Sequence, residues 1–316
     1  MLQLLRLLAD GRFHSGEELG RLLGISRSAV WKRLRQLQIE NGLRLCSVRG
    51  KGYRLEQPLS LLSADVLAKR LPNVRLRLEE RVGSTNAAAL GLLSETVPPF
   101  VVMAEAQTAG RGRRGRQWVS PYGENLYFSQ LIRIERSVSQ LQALSLVVGL
   151  AVLRTLRQAG VAGVGLKWPN DLLVGTKKIA GILLELNGDP ADICHVVIGI
   201  GVNANMLMAD GIDQDWTSIR RETGRLVDRN ELAAALVEAL EGCLSLHREQ
   251  GFAAFHEEWE DSHAWHGCLV RLTNGVREIA GTVLGVTVDG ALRLEVDGGE
   301  QVYSGGELSL RLQHDS

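Results

Sequence analysis

The chain has 316 residues, 45% of them apolar, with 36 Lys/Arg balanced by 36 Asp/Glu. That length is long for one core and predicts two or three domains of an ordinary globular protein. Cys46, Cys194, Cys243 and Cys268 are scattered, which argues against a disulfide framework or a zinc site. The densest apolar run, 144–153, is far too short to span a bilayer. The apolar start lacks a basic lead and a cleavage site and is interrupted by Arg6, so it reads as an amphipathic helix in a cytoplasmic protein.

Neutrality hides a polarity. Residues 1–60 carry 11 Lys/Arg and 5 Asp/Glu, a net of +6, leaving −6 on the rest. A basic end on a neutral chain predicts a module that binds a polyanion. Residues 2–9 read as a short helix. Ser15 caps a second, ended by Gly24, and Ser26 caps a third running to about Ile39. Two strand-like pieces, 43–48 and 53–55, flank Arg49-Gly50-Lys51-Gly52 as a hairpin with a basic tip. The pattern is a winged helix-turn-helix over residues 1–60. Ser26, Arg27, Ser28, Trp31, Lys32 and Arg35 are placed to meet bases or phosphates, with Arg49 and Lys51 on the backbone. A packing module with solvated charges is the alternative. Gln57-Pro58-Leu59-Ser60 reads as the linker.

Beyond it, a helix (64–70), a strand (74–80) and Gly83-Ser84-Thr85-Asn86 lead into a helix (87–93). These polar residues fit a simple cap as well as a binding turn. A strand, 101–107, delivers Gln107 to Gly110-Arg111-Gly112-Arg113-Arg114-Gly115-Arg116, followed by Trp118 and a strand, 125–132. Glycines admit close approach and arginines offer a planar fork for carboxylates and phosphates. On its own the loop fits a specific anion cradle and a solvated basic turn equally. Ser137 or Ser139 is expected to cap a long buried helix ending at Gly160. The strands 164–168 and 177–186 flank Lys167-Trp168-Pro169-Asn170-Asp171. Lys178 enters a buried-looking strand, so it needs an anionic partner. Gly199-Ile200-Gly201 is a GxG without the third glycine, which excludes a Rossmann reading.

Taken in order, Gly83-Ser-Thr-Asn86, Gln107 to Arg116, Lys167-Trp-Pro-Asn-Asp171, Lys178-Ile-Ala-Gly-Ile182 and Gly199-Ile-Gly-Val-Asn203 resemble the biotin protein ligases. With the winged helix in front, the whole chain resembles the bifunctional ligase and biotin operon repressor family. The resemblance implies an α+β, multidomain protein. Its parts are an N-terminal winged helix-turn-helix (1–60), a central α/β catalytic domain of the class II synthetase and lipoate ligase type (61–265), and a C-terminal SH3-like β-barrel (266–316). Biotin and ATP are the implied substrates, with Mg²⁺. The product of the first step is biotinoyl-5′-AMP, from which biotin passes to a lysine of the biotin carboxyl carrier protein of acetyl-CoA carboxylase. Repression implies a homodimer on operator DNA of the biotin synthesis genes, with the adenylate as corepressor and no membrane partner.

The same resemblance implies roles residue by residue. Lys178, Arg113 and Arg111 carry catalysis through charge stabilisation. Ser84, Thr85, Asn86, Gln107, Arg111, Gly112, Arg113, Lys178 and Gly181 hold biotin. Arg113, Arg116, Trp118, Lys167, Asn170, Asn203, Trp216, Tyr303 and Arg311 hold the nucleotide; Tyr303 stands where a well-known member has tryptophan. Asn170, Asp171 and Asn203 are offered to Mg²⁺, with no metal ligand certain. His263 and His266 stand three apart with no matching carboxylate or cysteine pattern, and read as surface or core residues. After helices over 230–250 and 252–261, short strands with turns at Asn274-Gly275, Asp289-Gly290 and 297–299 predict the small barrel. A lipoate-type ligase, and a ligand-sensing transcription factor without ligase activity, are the competing readings.

Overall fold

Ser15 and Ser26 start helices as expected, each accepting a backbone N–H three residues on, from Glu18 at 3.0 Å and Ala29 at 3.2 Å. The structure, a computed structural model, describes residues 1–135, 138–141, 143–189, 192–273, 277–304 and 308–313. Helices α1 (Leu2–Leu8), α2 (Gly16–Leu23) and α3 (Arg27–Asn41) precede the hairpin β1 (Leu45–Val48) and β2 (Gly52–Leu55). Leu4, Leu5, Leu8, Leu19, Val30, Leu34 and Leu37 form one buried core, which leaves the basic face of α3 outward.

The linker is anchored rather than loose. Leu59 packs with the amino-terminal core, which also takes in Ala106 and Tyr122 of the next domain. Arg229 is fully buried; its Nε donates to Ser60 O at 2.6 Å and its Nη1 to Asn125 O at 2.8 Å. Its Nη2 pairs with the buried Glu105 carboxylate, whose Oε1 accepts Leu62 N–H at 2.6 Å. A buried charge is tolerable when paired and hydrogen-bonded in this way.

The central domain comprises α4 (Ala64–Arg70), β3 (Leu76–Val82), α5 (Thr85–Gly91), β4 (Phe100–Gln107), β5 (Leu126–Glu135), α6 (Leu144–Gln158), β6 (Val164–Lys167), β7 (Asp171–Val174), β8 (Lys177–Gly188), β9 (Ile193–Val202), α7 (Ile219–Thr223), α8 (Arg229–Gln250) and α9 (His256–Asp261). Seven strands form one sheet in the order β3-β4-β5-β9-β8-β7-β6. Only β3 and β4 run parallel; the remaining neighbours are antiparallel. The apolar residues of α6 and α8 join the main core with this sheet, and Ala89 of α5 packs with Val102, Leu131 and Val197 in a second cluster.

The cap expected for α6 needs correction. Ser137 lies outside the described residues and Ser139 falls in a 3₁₀ turn over Val138–Leu141. Ala143, in a left-handed conformation (φ 52°), separates that turn from the helix, which begins only at Leu144.

The last module contains β10 (Leu269–Thr273), β11 (Glu278–Val286), β12 (Leu292–Val296), β13 (Gly299–Tyr303) and β14 (Ser309–Leu312). They form an antiparallel five-stranded sheet in the order β13-β12-β11-β10-β14. Asp297 and Gly298 both have positive φ, as a two-residue hairpin turn requires. The Asn274-Gly275 turn lies outside the described residues.

Candidate active site

The glycine-arginine segment folds into a closed hairpin. Gly112 N–H donates to Arg116 O at 2.7 Å and Trp118 N–H to Gly110 O at 2.9 Å. A side chain at 110 would collide with Trp118 O, Ser120 Oγ and Gln107 Nε2, so glycine is required there. From the hairpin, Arg111 forms an ion pair with Glu185 at 3.1 Å and Arg113 Nη1 donates to Asn170 Oδ1 at 3.0 Å. The hairpin is therefore pinned at both of these arginines.

Behind the hairpin lies a small chamber of about 50 Å³, lined among others by Ser84, Thr85, Asn86, Gln107, Lys178 and Gly181. Ser84 occupies the N-cap position of α5 but makes no side-chain cap bond, so simple capping does not explain this turn. Thr85 N–H instead donates to Gln107 Oε1 at 2.9 Å, and Ser129 Oγ donates to Asn86 Oδ1 at 2.6 Å. Asn86 Nδ2 donates to Glu185 Oε2 at 2.6 Å. Both glycines of the GxG now have a reason: a Cβ at 199 would strike the Asn86 amide and one at 201 the Trp118 indole. Trp118 reaches both the chamber and the cleft beyond it, rather than the cleft alone.

That outer cleft, about 330 Å³, is lined by Arg113, Arg114, Arg116, Lys167, Asn170, Asp171, Lys178, Asn203 and Trp216, among others. Lys178 stands where the two cavities meet, its Nζ 2.7 Å from Asp171 Oδ1 and 5.4 Å from the Trp118 ring centre. The contact is at ion-pair distance without hydrogen-bond angles at that oxygen. Burial works against the Asp171 charge, but Lys178 and then Lys167 outweigh it and hold the carboxyl below its usual range. Lys167, 3.8 Å from Asp171, is pushed down by burial, with Asp171 opposing and Lys178, Arg116 and Arg311 adding repulsion. The result is a cleft rich in fixed positive charge that can accept a polyanion.

Three sequence expectations change here. Tyr303 does not line the cleft: its hydroxyl donates to Gln301 at 2.5 Å and its ring packs on the core of the last module. Arg311 lines an adjoining basic recess with Arg114, Arg116 and Arg271. Of the residues offered to Mg²⁺, Asp171 is held by two lysines and both ends of the Asn170 amide are engaged, so neither fits one, while Asn203 donates through Nδ2 to Lys178 O and Thr217 O. Sequence reading missed Glu185 and Ser129. Both sit in strand runs whose register with Asn86 is visible only in three dimensions.

At the amino end, Ser26, Arg27, Ser28, Trp31, Lys32 and Arg35 are all exposed on α3, and Arg49 and Lys51 are exposed at the hairpin tip. The Arg35 guanidinium stacks 5.1 Å from the Trp31 ring centre, and Trp31 is 47% exposed. Arg81, at the end of β3, donates through Nη2 to Glu40 O at 2.7 Å and Asn41 Oδ1 at 2.6 Å, tying α3 to the strand that leads into Ser84.

The chain thus joins a helix-turn-helix to an anion-accepting α+β domain and a small β module. Residues 1–54 match the HTH domain, 78–203 the biotin/lipoate A/B protein ligase family, and 268–311 the biotin protein ligase C terminal domain. The chain is 41% identical over 312 residues to the bifunctional ligase/repressor BirA of Salmonella typhimurium, covering 98% of this chain and 97% of that one. It is 36% identical over 234 residues to a biotin–[acetyl-CoA-carboxylase] ligase of Paracoccus denitrificans, covering 72% of this chain and 97% of the relative. A solved biotin protein ligase from Aquifex aeolicus in complex with biotin and ATP superposes with a TM-score of 0.67 at 31% identity, over 76% of this chain and 99% of the other. The chain belongs to the bifunctional ligase/repressor family.

Proposed function

We propose that the chain is a biotin protein ligase that also represses transcription, divided near residues 60 and 265. In the first step a carboxylate oxygen of biotin attacks the α-phosphorus of ATP and pyrophosphate leaves. In the second, a lysine amine of the carboxyl carrier protein attacks the acyl carbon, AMP leaves, and the amine proton passes to solvent. The observation that carries this reading is the place of Lys178, at the junction of the polar chamber and the cationic cleft. An acyl-adenylate has its mixed anhydride at such a junction. Lys178, Arg111 and Arg113 neutralise the oxygens there, and preorganised charges of this kind need no rearrangement during the reaction.

Ser84, Thr85, Asn86, Gln107, Gly112 and Gly181 surround the biotin end in this reading, with Ser129 fixing Asn86. Arg116, Lys167, Asn170, Asn203 and Trp216 surround the nucleotide, and Arg311 lends charge from the side. Trp118, which lies on Gly201 and borders both chamber and cleft, covers the anhydride in this reading. Mg²⁺, where ATP brings it, is held by phosphates and water rather than by Asp171.

Repression follows from the exposed face of α3 and the hairpin tip, acting as a homodimer on a two-fold operator in the cytoplasm. β8 pairs with β7 up to Gly181 and Ile182 bonds Asn170; among the described residues no strand pairs β8 beyond it on that side, an edge suited to a second chain. Among the described residues no helix is long and apolar enough to cross a membrane. Incubation with ATP, radiolabelled biotin and an acceptor domain is expected to label the acceptor. An unlabelled acceptor overturns the ligase reading, and transfer of lipoate instead selects the runner-up.

A further inference from the structure

Away from the cleft, the end of α9 brings together Glu260, His263 and His266. One donor atom of each lies within 4.8 Å of the other two, the single such group among the described residues. The carboxylate that sequence spacing lacked is thus supplied three residues before His263, on the helix itself. His263 is only 7% exposed, and neither of its ring nitrogens has a hydrogen-bond partner. Its ring instead lies against Trp259, centres 4.6 Å apart. A buried imidazole with two unsatisfied nitrogens is costly, and a metal ion is one way to satisfy it. Burial, and then His266, push its pKa down to about 4, so near neutral pH it is the uncharged ligand form.

The surrounding groups favour a cation. His266 Nδ1 is 3.6 Å from Glu260 Oε2. Glu260 Oε1 accepts the backbone N–H of Val286, which fixes the carboxylate. Gly285 leaves room for it where a Cβ would collide. His256 faces the same carboxylate at 4.0 Å, but its Nε2 bonds Val286 O at 2.9 Å.

We infer that Glu260, His263 and His266 form a binding site for a first-row transition-metal ion of the Zn²⁺ type, at the junction of the catalytic domain and the carboxy-terminal sheet. Two imidazoles and a carboxylate suit Zn²⁺ and Co²⁺ and leave a fourth position for water, whereas Mg²⁺ prefers an all-oxygen set. Tetrahedral ligation needs donors roughly 3.4 Å apart. Rotation of the 59% exposed His266 side chain supplies that adjustment. The ion would tie the end of α9 to the turn that carries His263 and His266. It would also fix Trp265, between the two histidines, whose ring lies 4.4 Å from Lys167 Nζ in the cleft.

The site does not rest on the ligase reading. Full-length protein stripped with a chelator is titrated with Zn²⁺ against a chromophoric competitor, and with Co²⁺ by absorption. Expected is uptake of about one ion per chain, undisturbed by millimolar Mg²⁺, with affinity falling at least about tenfold in His266→Ala and in Glu260→Gln. Zn²⁺ should raise the melting temperature of the wild type and of neither variant. His266 is exposed, and glutamine keeps an oxygen for Val286 N–H, so both variants should fold. Absence of saturable uptake by the wild type, or uptake by both variants as tight as that of the wild type, overturns the proposal.

Discussion

Lys178 and Asp171 form a pair before any substrate is considered, and this complicates the obvious mutation. Lys178→Ala should lower adenylate formation by roughly 10²–10³-fold, the scale for losing one preorganised charge. It also strands Asp171, a carboxylate with 15% side-chain exposure, leaving it Lys167 at 3.8 Å and the field of Arg113. Lys178→Ala/Asp171→Asn should therefore regain thermal stability but not activity. If the double variant regains adenylate synthesis as well, Lys178 serves Asp171 rather than the anhydride. Much of this site was legible in the sequence because arginines among glycines and a lysine in an apolar strand are conspicuous. Glu185 and Ser129 were not, since a polar residue alternating with apolar ones reads as the solvent face of a strand. Tyr303 was placed by resemblance, and the β12–β13 register sets it opposite the buried Leu292.

Among the elements, the hairpin after β4 joins the two cavities. Arg113 donates to Asn170 and lines both spaces, whereas Arg111, paired with Glu185, lines the chamber. Arg113→Gly should shorten retention of the adenylate more than it slows synthesis, by about tenfold or more in release rate for a lost charge-assisted bond. Rapid quench and filter retention would measure the two separately; unchanged retention would sink the clamp. Helix boundaries set by Ser15, Ser26 and glycine stops were readable one by one. The start of α6 was not, because the left-handed Ala143 that delays it carries no sequence signal of its own.

At the scale of the molecule, the linker decides how separable the parts are. A chain beginning at Pro58 keeps the Ser60 contacts of Arg229, and one beginning at Ser63 loses them together with the Leu62 N–H to Glu105 bond. Both should lose operator binding in a gel shift. The shorter one should also melt several degrees lower, consistent with a buried pair left short of partners; equal melting would show that the linker is not an anchor. Glu124, close to Arg220, Arg229 and Arg44 of the first module, has a pKa raised to about 7, burial outweighing those cations. A carboxyl raised in the folded state binds more protons than the unfolded chain. Stability is then expected to fall as pH rises from the ordinary carboxyl range to about 7 and to level off above it. Glu124→Gln should flatten that slope in melts taken across the range; an unaltered slope assigns it to other groups.

Arg81 grips the end of α3 on one side and, along β3, leads into the Ser84–Asn86 turn on the other. Influence along such a connection has no preferred direction. Whatever factor a ligand at the turn adds to the affinity of α3 for DNA, DNA must add to the affinity of the turn for that ligand. In the repressor reading, a protein seated on its operator for that reason also binds the adenylate more tightly than the same protein free of DNA.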